Sequence, residues 1–333
     1  MNDKTARPQN FEDFVGNKSV VEQLKISVEA CKKNNRVFGH TLFYGNPGLG
    51  KTTLSNILAA ELGYTIFSIV GSSMKSEADL FVLLVSIEQA QREKPVILFI
   101  DEIHTIGLSQ ELPQTIYYPL LEDFTLFSNL KDKIVLIDGE EHKVTENVCQ
   151  ISPFTVIGAT TDPADLDDPL RDRFAHQLFL EPYSEDDLSL IVSKYCRRVN
   201  IKIDEVATLE IAKRARFTPR IALSYLNNCY DMAICRNSGE ITQGVVAGQM
   251  DLMGVDGCGL KKEDIKVLKV LRDSEKGLGI ASLAGTVGIK KEIITSMIEP
   301  FLKQKGLMAT TNCQIITEKG IKYLEEKNEE SKF

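Results

Sequence analysis

The feature that most constrains this chain is a glycine-rich loop, Gly45-Asn46-Pro47-Gly48-Leu49-Gly50-Lys51-Thr52-Thr53, which fits the pattern G-x-x-x-x-G-K-[ST]. An apolar run typical of a strand, 41–44, precedes the loop, and apolar residues at helical spacing follow it as far as Leu62. Glycines let backbone N–H groups turn toward a polyphosphate, the lysine neutralises its oxygens, and the hydroxyl ligates Mg²⁺. The sequence therefore predicts a site for ATP and Mg²⁺, bound by Gly45, Gly48, Gly50, Lys51, Thr52 and Thr53.

Two carboxylates follow the next strongly apolar run. Residues 96–100 are all apolar and lead directly into Asp101-Glu102, fifty residues beyond Lys51. The carboxyl ends of parallel strands are where ligands bind, so these acids are expected at the nucleotide. We predict that Asp101 and Thr52 serve the metal and that Glu102 activates the attacking water. The nearby His104 is equally consistent with a structural, hydrogen-bonded histidine.

Three further candidates lie beyond these acids. A second apolar run, 153–159, ends in Thr160-Thr161, where a hydroxyl would sense the γ-phosphate. Arg173 follows, as a cation that one subunit could supply to the site of another, although Arg171-Asp172-Arg173 alone is more typical of surface salt bridges. Arg220, just after a Thr-Pro helix start, would either reach back to the nucleotide or lie exposed on its helix.

The pattern of elements predicts three domains. Residues 1–181 are expected to form an α/β P-loop domain, a parallel sheet flanked by helices, with an inserted β-hairpin near 131–147 whose turn is Asp138-Gly139. Residues 182–254 are expected to form a small all-helical domain. After a glycine-rich joint, 255–333 contains three helices and two short strands, the pattern of a winged helix. We expect the insertion to protrude, either as a surface decoration or, because an apolar hairpin exposed to solvent costs solubility, as a docking element for a partner.

The composition and charge of the chain exclude some classes of protein. The net charge is −8, whereas Asp256 to the end carries 14 Lys+Arg against 12 Asp+Glu, or +2. A uniformly basic nucleic-acid binder is thereby excluded, although a local DNA contact is not. No run is long enough to span a membrane, the N-terminus lacks an export signal, and the seven cysteines form no C-x-x-C pair. We expect a cytoplasmic protein with reduced thiols and no membrane partner.

Several motifs together resemble a known family. They are Arg7-Pro8, Gly48-Leu49-Gly50-Lys51-Thr52-Thr53, Asp101-Glu102-Ile103-His104, Leu170-Arg171-Asp172-Arg173-Phe174 and Thr218-Pro219-Arg220, with 118–124 and 153–161. On the basis of these motifs, the chain resembles the RuvB family of AAA+ ATPases, and the resemblance extends from about residue 7 to 324. The resemblance implies an ATPase domain, an all-α lid domain and a winged-helix domain, assembled as a hexameric ring around duplex DNA.

The resemblance also implies an activity and roles for particular residues. The activity would be helicase-type branch migration of Holliday junctions in DNA recombination and repair. Thr161 or Thr160 would be the first sensor, Arg173 the arginine finger and Arg220 the second sensor. Tyr183 and Val15 would line the adenine pocket, and 134–144 would dock a RuvA-type partner.

Some positions depart from the family pattern. Phe217 stands where a glycine usually precedes Thr-Pro-Arg, and the hairpin segment is longer. The wing turn, 310–314, lacks the arginines that meet DNA in the family. We expect Lys290, Lys291, Asn312 and Gln314 to contact double-stranded DNA or a four-way junction instead. The acidic charge and this wing favour one alternative, a clamp-loader-like or helicase-loader-like switch that acts on a protein partner.

Overall fold

The computed structural model describes residues 6–106, 114–137, 140–274 and 276–330. The chain divides into two compact units. One comprises the residues up to Val199 together with Thr218–Arg220, and the other comprises Asn200–Phe217 together with the residues from Ile221 onward. Among the described residues, no helix combines the length and the apolar character needed to cross a membrane.

The first unit is built on a parallel sheet. Its elements are α1 (Lys18–Asn34), β1 (Thr41–Tyr44), α2 (Lys51–Leu62), β2 (Thr65–Val70), α3 (Glu77–Gln91), β3 (Val96–Asp101), α4 (Tyr117–Asp123), β4 (Thr125–Phe127), β5 (Ile134–Ile137), β6 (Glu140–Lys143), β7 (Val148–Gln150), β8 (Thr155–Thr160), α5 (Asp168–Arg171), β9 (His176–Phe179) and α6 (Glu185–Arg198).

The order of the five parallel strands places the candidate residues together. It is β2-β3-β8-β1-β9, so the strand of the two acids pairs with the strand of the two threonines, which pairs with the strand before the P-loop. The five apolar residues of β3, 96–100, are each at most 2% exposed, as expected for a strand covered by helices on both faces. The carboxyl ends of β1, β3 and β8 therefore meet at one edge of the sheet.

The predicted hairpin is confirmed as β5 paired with antiparallel β6, on a base formed by β4 and β7. Its predicted turn, Asp138-Gly139, lies outside the described residues. The hairpin does not simply protrude. Val135 and Val144 are buried with Leu130 against side chains of α3, whereas Ile134 on the opposite face is 62% exposed. Side chains alternate along a strand, so one face packs within the chain and the other remains at the surface.

The second unit contains helices followed by a winged-helix fold. Its elements are β10 (Lys202–Ile203), α7 (Glu205–Arg214), α8 (Pro219–Arg236, of which the first two residues belong to the first unit), β11 (Glu240–Ile241), α9 (Gln243–Leu252), α10 (Lys262–Arg272), α11 (Ile280–Val287), α12 (Lys291–Ile293), α13 (Glu299–Gln304), β12 (Met308–Thr310), β13 (Gln314–Ile316) and α14 (Glu318–Glu330).

The third helix of the winged helix is interrupted. A wider π turn, Ile294–Ile298, joins α12 to α13. Pro300 is the second residue after this turn, and a proline has no N–H with which to continue the α-helical hydrogen bonds. The wider turn accommodates it without ending the helix. With the antiparallel pair β12 and β13 behind it, this confirms the predicted winged-helix fold.

Two consecutive residues before Thr218 adopt a conformation that glycine favours. Arg216 and Phe217 have φ values of +51° and +57°. The Arg216 guanidinium pairs with buried Asp264 at 3.1 Å and lies 4.0 Å from the centre of the Phe301 ring. Residues other than glycine rarely adopt a positive φ, so the contacts of Arg216 hold a strained backbone in place. Phe217 itself packs against Phe301, with the two ring centres 6.2 Å apart.

Candidate nucleotide site

The P-loop backbone requires its glycines. Gly45, Gly48 and Gly50 have φ values of +134°, +83° and +104°. A Cβ at position 45 would lie 2.6 Å from the Leu180 carbonyl oxygen, and one at position 48 would lie 2.9 Å from the Arg220 Cβ. These contacts are too short for any side chain. The loop is therefore held close to residue 180 and to Arg220.

Lys51 is a buried cation at the start of α2. Its ammonium donates hydrogen bonds to the carbonyl oxygens of Gly45 at 2.6 Å and Asn46 at 3.1 Å. Burial lowers the pKa of Lys51 to about 8, an effect opposed by the negative charges of Asp101 and Glu102 and reinforced by the Arg220 charge. Thr52 and Thr53 follow in the first turn of α2, where backbone N–H groups favour an anion.

The two acids at the end of β3 have different surroundings. Asp101 is half-buried and its Oδ1 accepts a hydrogen bond from the Glu102 N–H at 3.1 Å. Glu102 is exposed, with a φ of +49°. Its carbonyl accepts hydrogen bonds from the N–H and the hydroxyl of Thr105, at 2.8 and 2.7 Å. This turn fixes the backbone and leaves the Glu102 carboxylate at the surface of the strand end.

The side-chain oxygens at this site suit a Mg²⁺ ion that is coordinated partly by the nucleotide. Across the described ranges, no group of three or more His, Cys, Asp or Glu side chains could hold a metal by itself. Mg²⁺ in ATPase sites commonly uses one or two protein oxygens and completes its coordination with phosphates and water. The Thr52 hydroxyl and the Asp101 carboxylate match that requirement.

The two threonines at the end of β8 differ in availability. Thr160 is 1% exposed, and its hydroxyl lies 3.0 Å from His104 Nδ1 and 2.9 Å from the Asp162 carbonyl oxygen. Thr161 is exposed. The hydroxyl that remains available at the strand end is therefore that of Thr161, and His104 has the structural role of contacting Thr160.

Arg173 is held by several groups of its own chain. Its Nε–H donates to the Tyr118 carbonyl at 3.0 Å, and Nη1 donates to the Pro169 carbonyl at 2.5 Å. Nη2 pairs with Glu122 Oε2 at 2.7 Å, and the guanidinium lies 4.8 Å from the centre of the Tyr118 ring. Sequence reasoning gave no role to Glu122, because its partner is 51 residues away and no local pattern marks the pair.

Tyr183 and Val15 lie beside the P-loop. Tyr183 is buried and its hydroxyl donates to the Leu49 carbonyl at 3.0 Å. Val15 is 8% exposed, and a Cβ on its neighbour Gly16 would lie 2.6 Å from the Tyr183 ring. Phe14, which sequence reasoning did not single out, would meet a Cβ at Gly50 at 3.3 Å. The lead-in segment therefore packs against the loop, where an adenine pocket is expected.

The predicted DNA contacts belong to the second unit and do not all reach its surface. Lys290 and Lys291 are exposed at the start of the third helix, and Asn312 is exposed at the wing turn. Gln314 is only 8% exposed, and its backbone pairs with Leu278. The prediction that the Gln314 side chain contacts DNA does not agree with this burial, because the wing strand turns that residue inward.

Taken together, the strand order, the P-loop and the acids beside it define a P-loop ATPase of the AAA+ class with a winged-helix fold. Family models agree over nearly the whole chain: residues 6–180 match the Holliday junction DNA helicase RuvB P-loop domain, 183–256 the RuvB AAA lid domain, and 257–325 the RuvB C-terminal winged helix domain. The chain belongs to the RuvB family.

Individual relatives give the same assignment. The Holliday junction branch migration complex subunit RuvB of Kosmotoga olearia is 36% identical over 324 residues, covering 96% of this chain and 90% of that protein. The RuvB subunit of Fervidobacterium nodosum is 36% identical over 321 residues, covering 96% and 88%. A solved structure of the Thermotoga maritima RuvB Holliday junction branch migration motor superposes with a TM-score of 0.79 at 32% identity, covering 97% of this chain and 99% of that one.

Proposed function

We propose that this protein is an ATP-driven motor that moves four-way DNA junctions by branch migration in recombination and repair. One observation carries the ATPase part of the proposal. The charges of Asp101 and Glu102, at the end of β3, and of Arg220, at the start of α8, all act on the Lys51 ammonium. A buried cation, two acids and a second cation thus converge at the carboxyl edge of the sheet. The curated relatives, which are named as branch-migration subunits, support the DNA part.

The residues of the site have separate roles in ATP hydrolysis. Lys51 would exchange its carbonyl hydrogen bonds for phosphate oxygens, and Thr52 and Asp101 would hold Mg²⁺, whose charge would offset that of the phosphates. Glu102 orients and deprotonates the attacking water from the exposed end of β3. Thr161 offers a hydroxyl beside that water.

Two arginines complete the site in different ways. Arg220 contacts phosphate from its position beside Gly48. Arg173 instead hydrogen-bonds to Tyr118, Pro169 and Glu122, which are not among the residues of the nucleotide site. We infer that Arg173 serves the nucleotide of a neighbouring subunit, and that the protein works as a homo-oligomeric ring, a hexamer as in the expected family assembly.

The inserted hairpin is the proposed docking element for a RuvA-type partner that delivers the junction. Its buried face is already occupied by α3, so docking must use the other face, where Ile134 is exposed. At the base of the insertion, the cross-strand pair Phe127 and Val148 is also 55% and 46% exposed. Apolar side chains exposed together in this way are typical of a protein interface.

Duplex DNA is proposed to meet the winged helix through few cations. Lys290 and Lys291 remain exposed, whereas Lys303 is paired with Glu299 at 2.6 Å. The alternative function, a clamp-loader-like or helicase-loader-like switch, is not favoured. The family models over the P-loop, lid and winged-helix segments are RuvB models.

The proposal is tested by measuring ATP turnover with and without a synthetic four-way junction. We expect the junction to stimulate turnover of the parental protein. Glu102→Gln should bind ATP normally and show turnover reduced by orders of magnitude, because only the water-activating carboxylate is lost. Equal turnover by the parental protein and this variant would contradict the assignment of the site.

A further inference from the structure

The Arg173 side chain is fixed more firmly than a surface arginine needs to be. Each of its three nitrogens makes one hydrogen bond, to Tyr118, Pro169 and Glu122. A guanidinium has five N–H groups, so three bonds leave one N–H on each terminal nitrogen. The side chain keeps 24% of its surface exposed. With respect to the described residues, two N–H groups of a rigid fork therefore remain for an oxyanion.

Two of these three partners lie on α4, and α4 is itself anchored. His40 Nδ1 accepts the Val156 N–H at 2.9 Å, which leaves Nε2–H to donate to the Leu121 carbonyl at 2.9 Å. The Tyr118 hydroxyl donates to Asp167 Oδ2 at 3.1 Å. Glu122 therefore extends from a helix fixed to both the sheet and the segment before Arg173.

Stability alone does not explain the pair of Glu122 and Arg173. The Glu122 side chain is 61% exposed, and exposed ion pairs contribute only about 0–1 kcal/mol to folding. A group that stabilises a transition state, however, must already be positioned when the reaction occurs, and small displacements are costly. We propose that Glu122 is a positioning residue for catalysis: it fixes the guanidinium of Arg173 so that its two remaining N–H groups reach the nucleotide of the neighbouring subunit. This proposal rests on the shared site described above.

Replacing Glu122 should affect turnover more than binding. In Glu122→Ala the guanidinium keeps its carbonyl contacts but loses the carboxylate that holds Nη2. We expect kcat to fall on the order of tenfold to a hundredfold with the KM for ATP unchanged, because Arg173 acts in the transition state. Glu122→Gln retains one acceptor oxygen and should recover part of the loss. The matched control is Asp168→Ala, which removes the 2.5 Å pair with Arg171 and should leave kcat unchanged.

Mixed assemblies show on which side of the interface Glu122 acts. Subunits with Glu102→Gln retain Arg173, and subunits with Arg173→Ala retain Glu102, so mixing the two should restore turnover where the intact residues meet. Adding Glu122→Ala to the Glu102→Gln subunits should abolish most of the recovery. Adding it to the Arg173→Ala subunits should leave the recovery unchanged. Thermal melts and crosslinking confirm that every variant folds and co-assembles.

The other outcomes separate the two proposals. If recovery falls equally whichever subunit carries Glu122→Ala, Glu122 has a general structural role and the positioning proposal is overturned. If recovery is unaffected in both mixtures, Arg173 does not need Glu122, and the proposal is overturned as well. If the two parent variants co-assemble but never recover turnover, the shared site itself fails, and this inference fails with it.

Discussion

Raising the pH from 7 to 9 should weaken nucleotide binding through Lys51. The ammonium is buried and donates to two backbone carbonyls of the P-loop, and its pKa is lowered to about 8. A bound polyphosphate stabilises the charged form, so the pKa of Lys51 must rise on binding. Binding therefore takes up a proton wherever the unbound lysine is partly neutral. Affinity is full below pH 8 and is lost as the pH rises above that value.

The magnitude follows from the pKa of the unbound lysine. With a value of about 8, roughly nine tenths of the side chains are charged at pH 7 and roughly one tenth at pH 9. The dissociation constant should thus increase about tenfold between these two values, and about half a proton should be taken up at pH 8. The terminal phosphate titrates near pH 6, largely outside this window.

Two measurements check this linkage. Titration with a fluorescent ADP analogue at pH 7, 8 and 9, at constant ionic strength, gives the change in affinity. Calorimetry at pH 8 in two buffers of different ionisation enthalpy gives the number of protons taken up. Lys51→Arg is the control, because arginine stays charged over this range and its binding should be independent of pH. A parental affinity that is unchanged between pH 7 and 9, or a release of protons, would refute the reasoning.

Other perturbations test separate parts of the structure. Burial lowers the pKa of His40, so the unfolded chain takes up a proton before the folded chain does as the pH falls below about 6.5. Denaturation at pH 7 and 5.5 should therefore show that the free energy of unfolding decreases by at most about 1.4 kcal/mol per pH unit. The decrease should be smaller in His40→Gln. Val135→Asp should lower the melting temperature because it buries a charge against α3, whereas Ile134→Asp should leave it unchanged and weaken binding of a RuvA-type partner in a pull-down. Lys290→Ala and Lys291→Ala should each reduce the salt slope of duplex DNA binding by about one, measured by fluorescence anisotropy.

The nucleotide site was largely predictable because its information is local. The P-loop, the acids after β3 and the threonines after β8 each follow an apolar run, and parallel strands bring their carboxyl ends together. The position of the two threonines at a strand end does not show which of their hydroxyls is already hydrogen-bonded. Thr160 is committed to His104 and Asp162, a fact that depends on how the turn after β3 folds against β8.

Features set by distant packing were not predictable. Glu122 meets Arg173 across 51 residues because α4 is anchored to the sheet through His40. The apolar residues of the hairpin indicated that something should cover them but not that α3 covers one face. Gln314 looked like a polar wing residue, yet its pairing with Leu278 turns it into the core. In each case the contacting residue lies in another segment of the chain, and the local pattern of a single sequence does not identify it.

The most direct test of the proposed motor is branch migration itself. A synthetic four-way junction with homologous arms is incubated with the protein, ATP, Mg²⁺ and a RuvA-type partner, and the products are separated by gel electrophoresis. The account predicts that the parental protein converts the junction into two duplexes only when ATP is present, and that Glu102→Gln, which still binds ATP, yields none. Junction-stimulated ATP hydrolysis without any duplex product, or equal product from Glu102→Gln, would contradict it.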